Sequence, residues 1–285
     1  MITKDTFKER AAKKWFDIKK NYNITRELVK KNIKIQYRNS VIGIFWTVLN
    51  PFLNMLVMYF VFGSILGYSK SDPTYALYLL CGNIVFNMMR SATSQSLTSL
   101  VNNRGLLTKN KISYYVFPLS NNFSALVNFL FSCIALLGVM MFVWIKGEAV
   151  FSWNILMSFV MLPALFLFNY GMSMILAALY VFFRDIQHFY TVFLTLWTYL
   201  TPIFYKIDRI GHTTLAEKFI TAVIKLNPMY HFVEYFRDVI YRCASMGTPL
   251  AASGSLFKLY LIGLVFFVIG VAVYNLTKRK YIYYI

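Results

Sequence analysis

Apolar residues run along this chain in long unbroken stretches, and polar residues collect between them. Residues 41–66, VIGIFWTVLNPFLNMLVMYFVFGSIL, hold no charge, and Asn50-Pro51 within them marks a place where a helix would kink. A helix needs roughly 20 mostly apolar residues to cross a bilayer. Further runs of that grade lie at 75–100, within 114–145, within 154–182, at 186–204 and at 258–277. Each is expected to be helical, because lipid offers no partner to an exposed backbone amide. The pattern predicts an all-α integral membrane protein with six transmembrane helices. No repeat of 20–50 residues and no low-complexity linker interrupts it.

Two amphipathic regions flank these runs. In DTFKERAAKKWFDIKK, residues 5–20, Phe7, Ala11, Trp15 and Ile18 share a helical face and lysines fill the others. That pattern fits a helix lying in the membrane surface, and equally a solvated helix packed on protein. Thr25 is expected to cap a second helix running through RELVKKNIKIQYRNS. Between the fifth and sixth runs two short amphipathic helices are expected to meet at Asn227-Pro228. Leu215, Phe219, Ala222, Val223 and Leu226 share a face before that point. Met229, Phe232, Val233, Phe236 and Ile240 share one after it, and both faces are expected to meet the outer leaflet. The division is then an N-terminal cytoplasmic interface segment, 1–40, followed by a six-span domain, 41–285.

Charge orients the chain. Twelve of the 29 Lys and Arg residues precede residue 41, and cytoplasmic loops carry the excess of such residues. With the N-terminus inside, the inner segments also include Arg104, Lys109 and Lys111, the turn at Arg184, and the tail Lys278-Arg279-Lys280. The short outer loops then hold only Lys70 and Lys146. A net charge of +18 raises the question of nucleic acid, but no zinc spacing or recognition motif accompanies it, so no nucleic-acid partner is expected.

Candidate chemistry is sparse. The chain has no GxSxG, HExxH or DxD, and its three histidines are scattered. The phosphate loop GxxxxGK followed by Ser or Thr is absent, so ATP is not bound by that device. Cys81, Cys133 and Cys243 form no CxxC pair and read as packing residues. No metal site is expected. Arg90 stands out, because an ionisable residue inside a span usually faces a bundle interior or a wet cavity. After it come Ser91, Thr93, Ser94, Gln95, Ser96, Thr98 and Ser99. They read as one hydroxyl- and amide-rich face, which suits a path for a polar, sugar-like substrate and equally suits helix packing through small polar residues. Arg38 sits just before the first span, at headgroup depth, where its fork of donors suits phosphate oxygens. The many Phe and Tyr fit interfacial belts or a stacking surface for sugar rings.

Several stretches resemble type-two ABC export permeases for polysaccharide and polyol phosphate. In KIQYRNSVIGIFWTVLNPFL, residues 34–53, Tyr37, Arg38, Ser40, Gly43, Trp46, Asn50 and Pro51 match the entry to that family's first span, with Ile42 in place of its usual leucine. FFRDI (182–186) resembles the turn between spans four and five, and TPIFY (201–205) the end of span five. Asn227-Pro228 followed by Arg237 resembles the outer helix pair, about 212–245. The resemblance implies a bacterial inner-membrane homodimer with cytoplasmic termini, working with a separate ATP-binding cassette subunit that holds ATP and magnesium. It implies export of a glycan or polyol phosphate on a polyprenyl diphosphate lipid, as in O-antigen, capsule or teichoic acid transport. It also implies no catalysis and no cofactor in this chain itself. The segment about 103–113 would be the coupling helix, with Arg104, Leu106, Leu107, Lys109, Lys111 and Ile112 facing the ATPase subunit. Arg38, Trp46, Arg90, Ser94 and Gln95 would line the substrate path, and Tyr205, Asn227, Pro228 and Arg237 the outer gate. The alternatives are a membrane-embedded glycosyl- or acyltransferase, or a flippase independent of ATP.

Overall fold

The computed structural model describes residues 4–38, 40–65, 67, 74–109, 112–147, 153–207, 214–242, 253–278 and 280–284, and no strand occurs among them. The side chains of Phe7, Ala11, Trp15 and Lys109, and the whole of Lys111, lie outside the described residues.

The N-terminal region forms one helix, α1 (Lys4–Gln36), rather than two. Thr25 does not cap a new helix. Its hydroxyl donates to the Asn21 carbonyl one turn back, 2.8 Å away, a bond that leaves the helix continuous. A turn follows in which the Gly43 N–H donates to Ser40 Oγ at 3.1 Å and Gly43 adopts φ +59°. That left-handed conformation costs glycine least, a physical reason for the Ser40-x-x-Gly43 spacing. The first membrane helix, α2 (Trp46–Met58), passes through Pro51 and changes to π-helical winding over Tyr59–Ile65.

The remaining main elements are α3 (Tyr75–Leu97), the short α4 (Ser99–Asn102) and α5 (Arg104–Lys109), α6 (Val116–Ile145), α7 (Met157–Phe182) and α8 (Ile186–Leu200). After them come α9 (Leu215–Leu226), α10 (Pro228–Arg237), α11 (Ser253–Thr277) and α12 (Tyr281–Tyr284). Among the described residues, four helical stretches are long and apolar enough to cross a membrane: Gly43–Ile65, Val116–Ile145, Met157–Phe182 and Leu256–Thr277. The other two expected spans fall short for different reasons. Polar residues crowd the second half of α3. Helix α8 has 15 residues, because the chain turns extended at Thr201 instead of continuing to 204.

Helix α3 is the centre of the bundle, packed by α2, α6, α7 and α10. Contacts also fix direction. Ser132 on α6 donates to the Thr47 carbonyl at the start of α2, and Met55 further along lines one cavity with Val139 and Val143, so these helices run parallel. Helices α7 and α11 also run parallel, since the Tyr260 hydroxyl meets the Val160 carbonyl at 2.7 Å and Gly270 meets Gly171. A Cβ on Gly270 would stand 2.5 Å from the Gly171 carbonyl oxygen, and one on Gly263 equally close to that of Ala164. Small residues at heptad spacing on both helices permit this approach.

The two outer helices form where expected but do not behave alike. Thr214 and Glu217 make a capping box at the start of α9, whose Leu215, Phe219 and Leu226 remain exposed. The apolar face of α10 does not meet the surroundings. Met229, Phe232, Val233 and Phe236 are buried in the bundle core against α3 and α7, which offer a larger protein surface than one short helix could leave unfilled.

Candidate functional site: a polar stripe and its cavities

The seven polar residues after Arg90 do not share one face. At 100° per residue a helix distributes them on two sides. Thr93, Ser96 and Ser99 are buried, and Thr93 accepts from the Tyr190 hydroxyl at 2.6 Å. Ser94 and Gln95 are exposed and Ser91 and Thr98 half-buried. They continue a stripe that starts at Asn83 and Asn87 and ends at Asn102, with steps of three or four residues. Side chains one turn apart bond along it. Asn87 donates to Asn83 at 2.7 Å, Gln95 to Ser91 at 2.8 Å, and Asn102 to Thr98 at 3.0 Å. From Asn83 to Asn102 the stripe is roughly 28 Å long at about 1.5 Å per residue, close to the ~30 Å hydrocarbon thickness.

Arg90 stands in the middle of the stripe and is exposed in the single chain. Its Nη2 donates to Thr198 Oγ1 on α8 at 2.9 Å, and its guanidinium lies 5.6 Å from the centre of the Phe86 ring. It borders two cavities. One, about 150 Å³, is lined on its polar side by Asn54, Asn83, Asn87 and Thr198. The other, about 240 Å³, gathers Tyr37, Trp46, Asn50, Ser91 and Asn128. Burial pushes the Tyr37 hydroxyl above its ordinary value, so it stays a neutral donor there. Trp46 and Arg90 are therefore brought together. Arg38 is exposed and lines neither cavity. Asn54, Asn83, Asn87, Asn128 and Thr198 went unremarked in the sequence reading. The interval Asn83, Asn87, Arg90, Ser94 carried the helical signal for two of them.

The residues read as an outer gate form a buried clamp. Residues 201–205 leave helical geometry, so their carbonyls need partners. Arg237, 1% exposed, donates to the carbonyls of Tyr78 (3.2 Å), Pro202 (2.7 Å) and Ile203 (2.9 Å). The Tyr75 hydroxyl serves Phe204 at 2.5 Å and that of Tyr78 serves Tyr205 at 2.7 Å. The Tyr205 hydroxyl in turn donates to the Tyr199 carbonyl at 2.7 Å. Gly82 makes room, since a Cβ there would stand 2.5 Å from Arg237 Nη2. Asn227 accepts from the Trp197 indole at 2.7 Å and from the Met229 N–H at 3.0 Å, and donates to Thr201 Oγ1 at 2.9 Å, with Pro228 opening α10.

The expected coupling segment divides. Arg104 and Leu106 face outward. Leu107 and Ile112 instead pack against a cluster containing Leu28, Phe117, Tyr274 and Tyr281.

Four helices long and apolar enough to cross a bilayer, packed around the central α3, define a multi-pass membrane protein. The chain belongs to the ABC-2 type transporter family, matched over residues 24–241, and is a non-catalytic membrane permease of that family. It is 26% identical over 254 residues to the O-antigen export system permease protein RfbA of Klebsiella pneumoniae, covering 89% of this chain and 92% of that one. An RfbA of Myxococcus xanthus is 28% identical over 75% of this chain and 78% of its own. The polysialic acid transport protein KpsM of Escherichia coli is 23% identical over 94% of this chain and 98% of its own.

Proposed function

We propose that this chain is the permease of an ATP-driven exporter that moves a lipid-linked polysaccharide across the bacterial cytoplasmic membrane. The O-antigen and polysialic acid functions in its relatives' names support the substrate class. The observation that carries the reading is the polar stripe from Asn83 to Asn102, in which Arg90, Ser94, Gln95 and Asn102 are exposed and Asn83, Asn87, Ser91 and Thr98 half-buried. Lipid cannot cover such a surface without leaving amides and a guanidinium unsolvated, at several kcal/mol for the arginine alone. A second copy of the chain, facing the first, would enclose the two stripes as a wet path, which supports the homodimer. Arg90 meets the diphosphate on that path and Trp46 offers a ring for a sugar, while Ser94 and Gln95 line its inner half.

Six crossings with both termini inside accompany this reading, as does a separate ATP-binding subunit seated on Arg104, Leu106 and the adjacent lysines Lys109 and Lys111. ATP and magnesium belong to that subunit. The clamp of Arg237 and Asn227 holds the outer end, next to the exit. Arg38 then serves as a membrane-surface contact for the arriving headgroup.

The test is export in a strain lacking the native gene, with surface polysaccharide measured at equal protein levels. Arg90→Ala abolishes export and Arg90→Lys, which keeps charge but loses the fork, lowers it strongly. Normal polysaccharide in both variants overturns the assignment.

A further inference from the structure

Helix α1 packs along α6. Asn32 donates to Asn121 at 2.8 Å, and Gln36 accepts from Asn128 at 3.0 Å, so α1 runs parallel to α6 and follows it inward. The two helices flank an open groove of about 740 Å³ that begins ahead of those contacts and continues beside them. Its walls are Tyr22 and Val29 from α1, and Leu119, Phe123 and Val127 from α6. Phe123 is 40% exposed and Tyr22 66%. The hydroxyl of Thr25, which also lines the groove, is already spent on the Asn21 carbonyl. From the start of α6 to Val127 the floor runs roughly 16 Å at about 1.5 Å per residue, half the ~30 Å hydrocarbon core and so the depth of one leaflet.

The rim is basic. Lys19, Arg26 and Lys30 are exposed and fall in one helical stripe, spaced seven and four apart. Lys30 pairs with Glu27 at 2.8 Å, and one carboxylate leaves three cations with an excess of positive charge. These residues precede the α1–α6 contacts, so the charge sits at the shallow end and the apolar floor continues to the deep end.

We propose that this groove binds an anionic phospholipid of the bilayer. One acyl chain lies along Leu119, Phe123 and Val127, the headgroup phosphate is held by Arg26 and Lys30, and Lys19, further out on the same stripe, adds to the positive potential that draws it in. One-leaflet depth fits an acyl chain, and the rim's charge selects the anionic headgroup. The proposal rests on α6 crossing the membrane and is independent of which molecule the polar stripe carries.

The full chain, purified in neutral detergent, is titrated with phosphatidylglycerol and phosphatidylcholine of identical acyl chains, and bound lipid is read by native mass spectrometry. Phosphatidylglycerol binds more tightly. Lys19→Ala and Arg26→Ala each weaken it roughly fivefold, about the effect of one basic residue near an anionic surface, and leave phosphatidylcholine unchanged. Leu119→Trp fills the groove without touching the charges and weakens both lipids. Equal binding of the two lipids, or phosphatidylglycerol binding unchanged in the Lys19→Ala/Arg26→Ala double variant, overturns the proposal. So does displacement by a polyprenyl diphosphate at concentrations below those of phosphatidylglycerol, which would assign the groove to the carrier lipid. These readouts involve no export, so they stand or fall apart from the role of Arg90.

Discussion

Two arginines in this chain occupy opposite situations. Arg237 is buried and spends three N–H groups on the backbone of Tyr78, Pro202 and Ile203, stacked 3.6 Å from the centre of the Tyr78 ring. Arg90 is exposed and makes one side-chain bond, to Thr198. Removing Arg237 strands carbonyls in a buried site, each costing about 1–3 kcal/mol. Arg237→Ala is therefore expected to lower the unfolding temperature in detergent steeply. Arg237→Lys should recover little, since an ammonium on a flexible stem cannot reach three carbonyls set for a planar fork. Arg90→Ala should leave the same melting curve almost unmoved while export is lost. A melt equally depressed in both alanine variants would make Arg90 another structural strut. Arg90 was legible in sequence because a lone charge in an apolar run demands an explanation. The role of Arg237 was not, because its partners are carbonyls, which every residue carries and no sequence pattern marks.

At the scale of elements, periodicity located the helices well but could not say what their faces meet. The apolar stripe of α10 reads the same whether it faces lipid or protein, and only packing against α3 and α7 decides the matter. Thr25 reads as a cap by residue type, yet α1 continues through it because Ile24 and Leu28 on either side pack on the cluster beneath. The same limit affects the proposed coupling segment, where the neighbours Leu106 and Leu107 differ in what they meet. Leu106, 36% exposed, is open to the ATPase subunit we propose docks here, whereas Leu107 and Ile112 hold the segment to α1 and the C-terminal tail. Leu106→Glu is expected to leave the melting temperature unchanged and to abolish co-purification with that subunit. Leu107→Glu and Ile112→Glu should destabilise the permease itself, by about 2 kcal/mol for an apolar side chain losing its burial. Stable co-purification of the Leu106→Glu variant would move the docking surface elsewhere.

At the scale of the whole molecule, the question is how many times the chain crosses the membrane, and helix direction constrains the answer more than hydropathy does. Two spans running the same way require an intervening crossing in the opposite sense. Helices α2 and α6 are parallel, as are α7 and α11. If those four cross, then α3 must cross between the first pair and α8 between the second. That requirement supports six crossings even though α3 is polar along one face and α8 has only 15 residues. The short helix is completed by residues 201–205, whose irregular backbone is satisfied by Arg237, Tyr75 and Tyr78 as membrane depth demands. Labelling separates the arrangements. With Cys81, Cys133 and Cys243 replaced by alanine, single cysteines are placed by Arg104→Cys, Lys146→Cys and Arg184→Cys. Six crossings with the N-terminus inside expose Lys146→Cys to a membrane-impermeant maleimide in intact cells, and the other two only after the cells are opened. Four crossings, with α3 and α8 outside the count, reverse the result. Arg104→Cys and Arg184→Cys would then label in intact cells and Lys146→Cys would not.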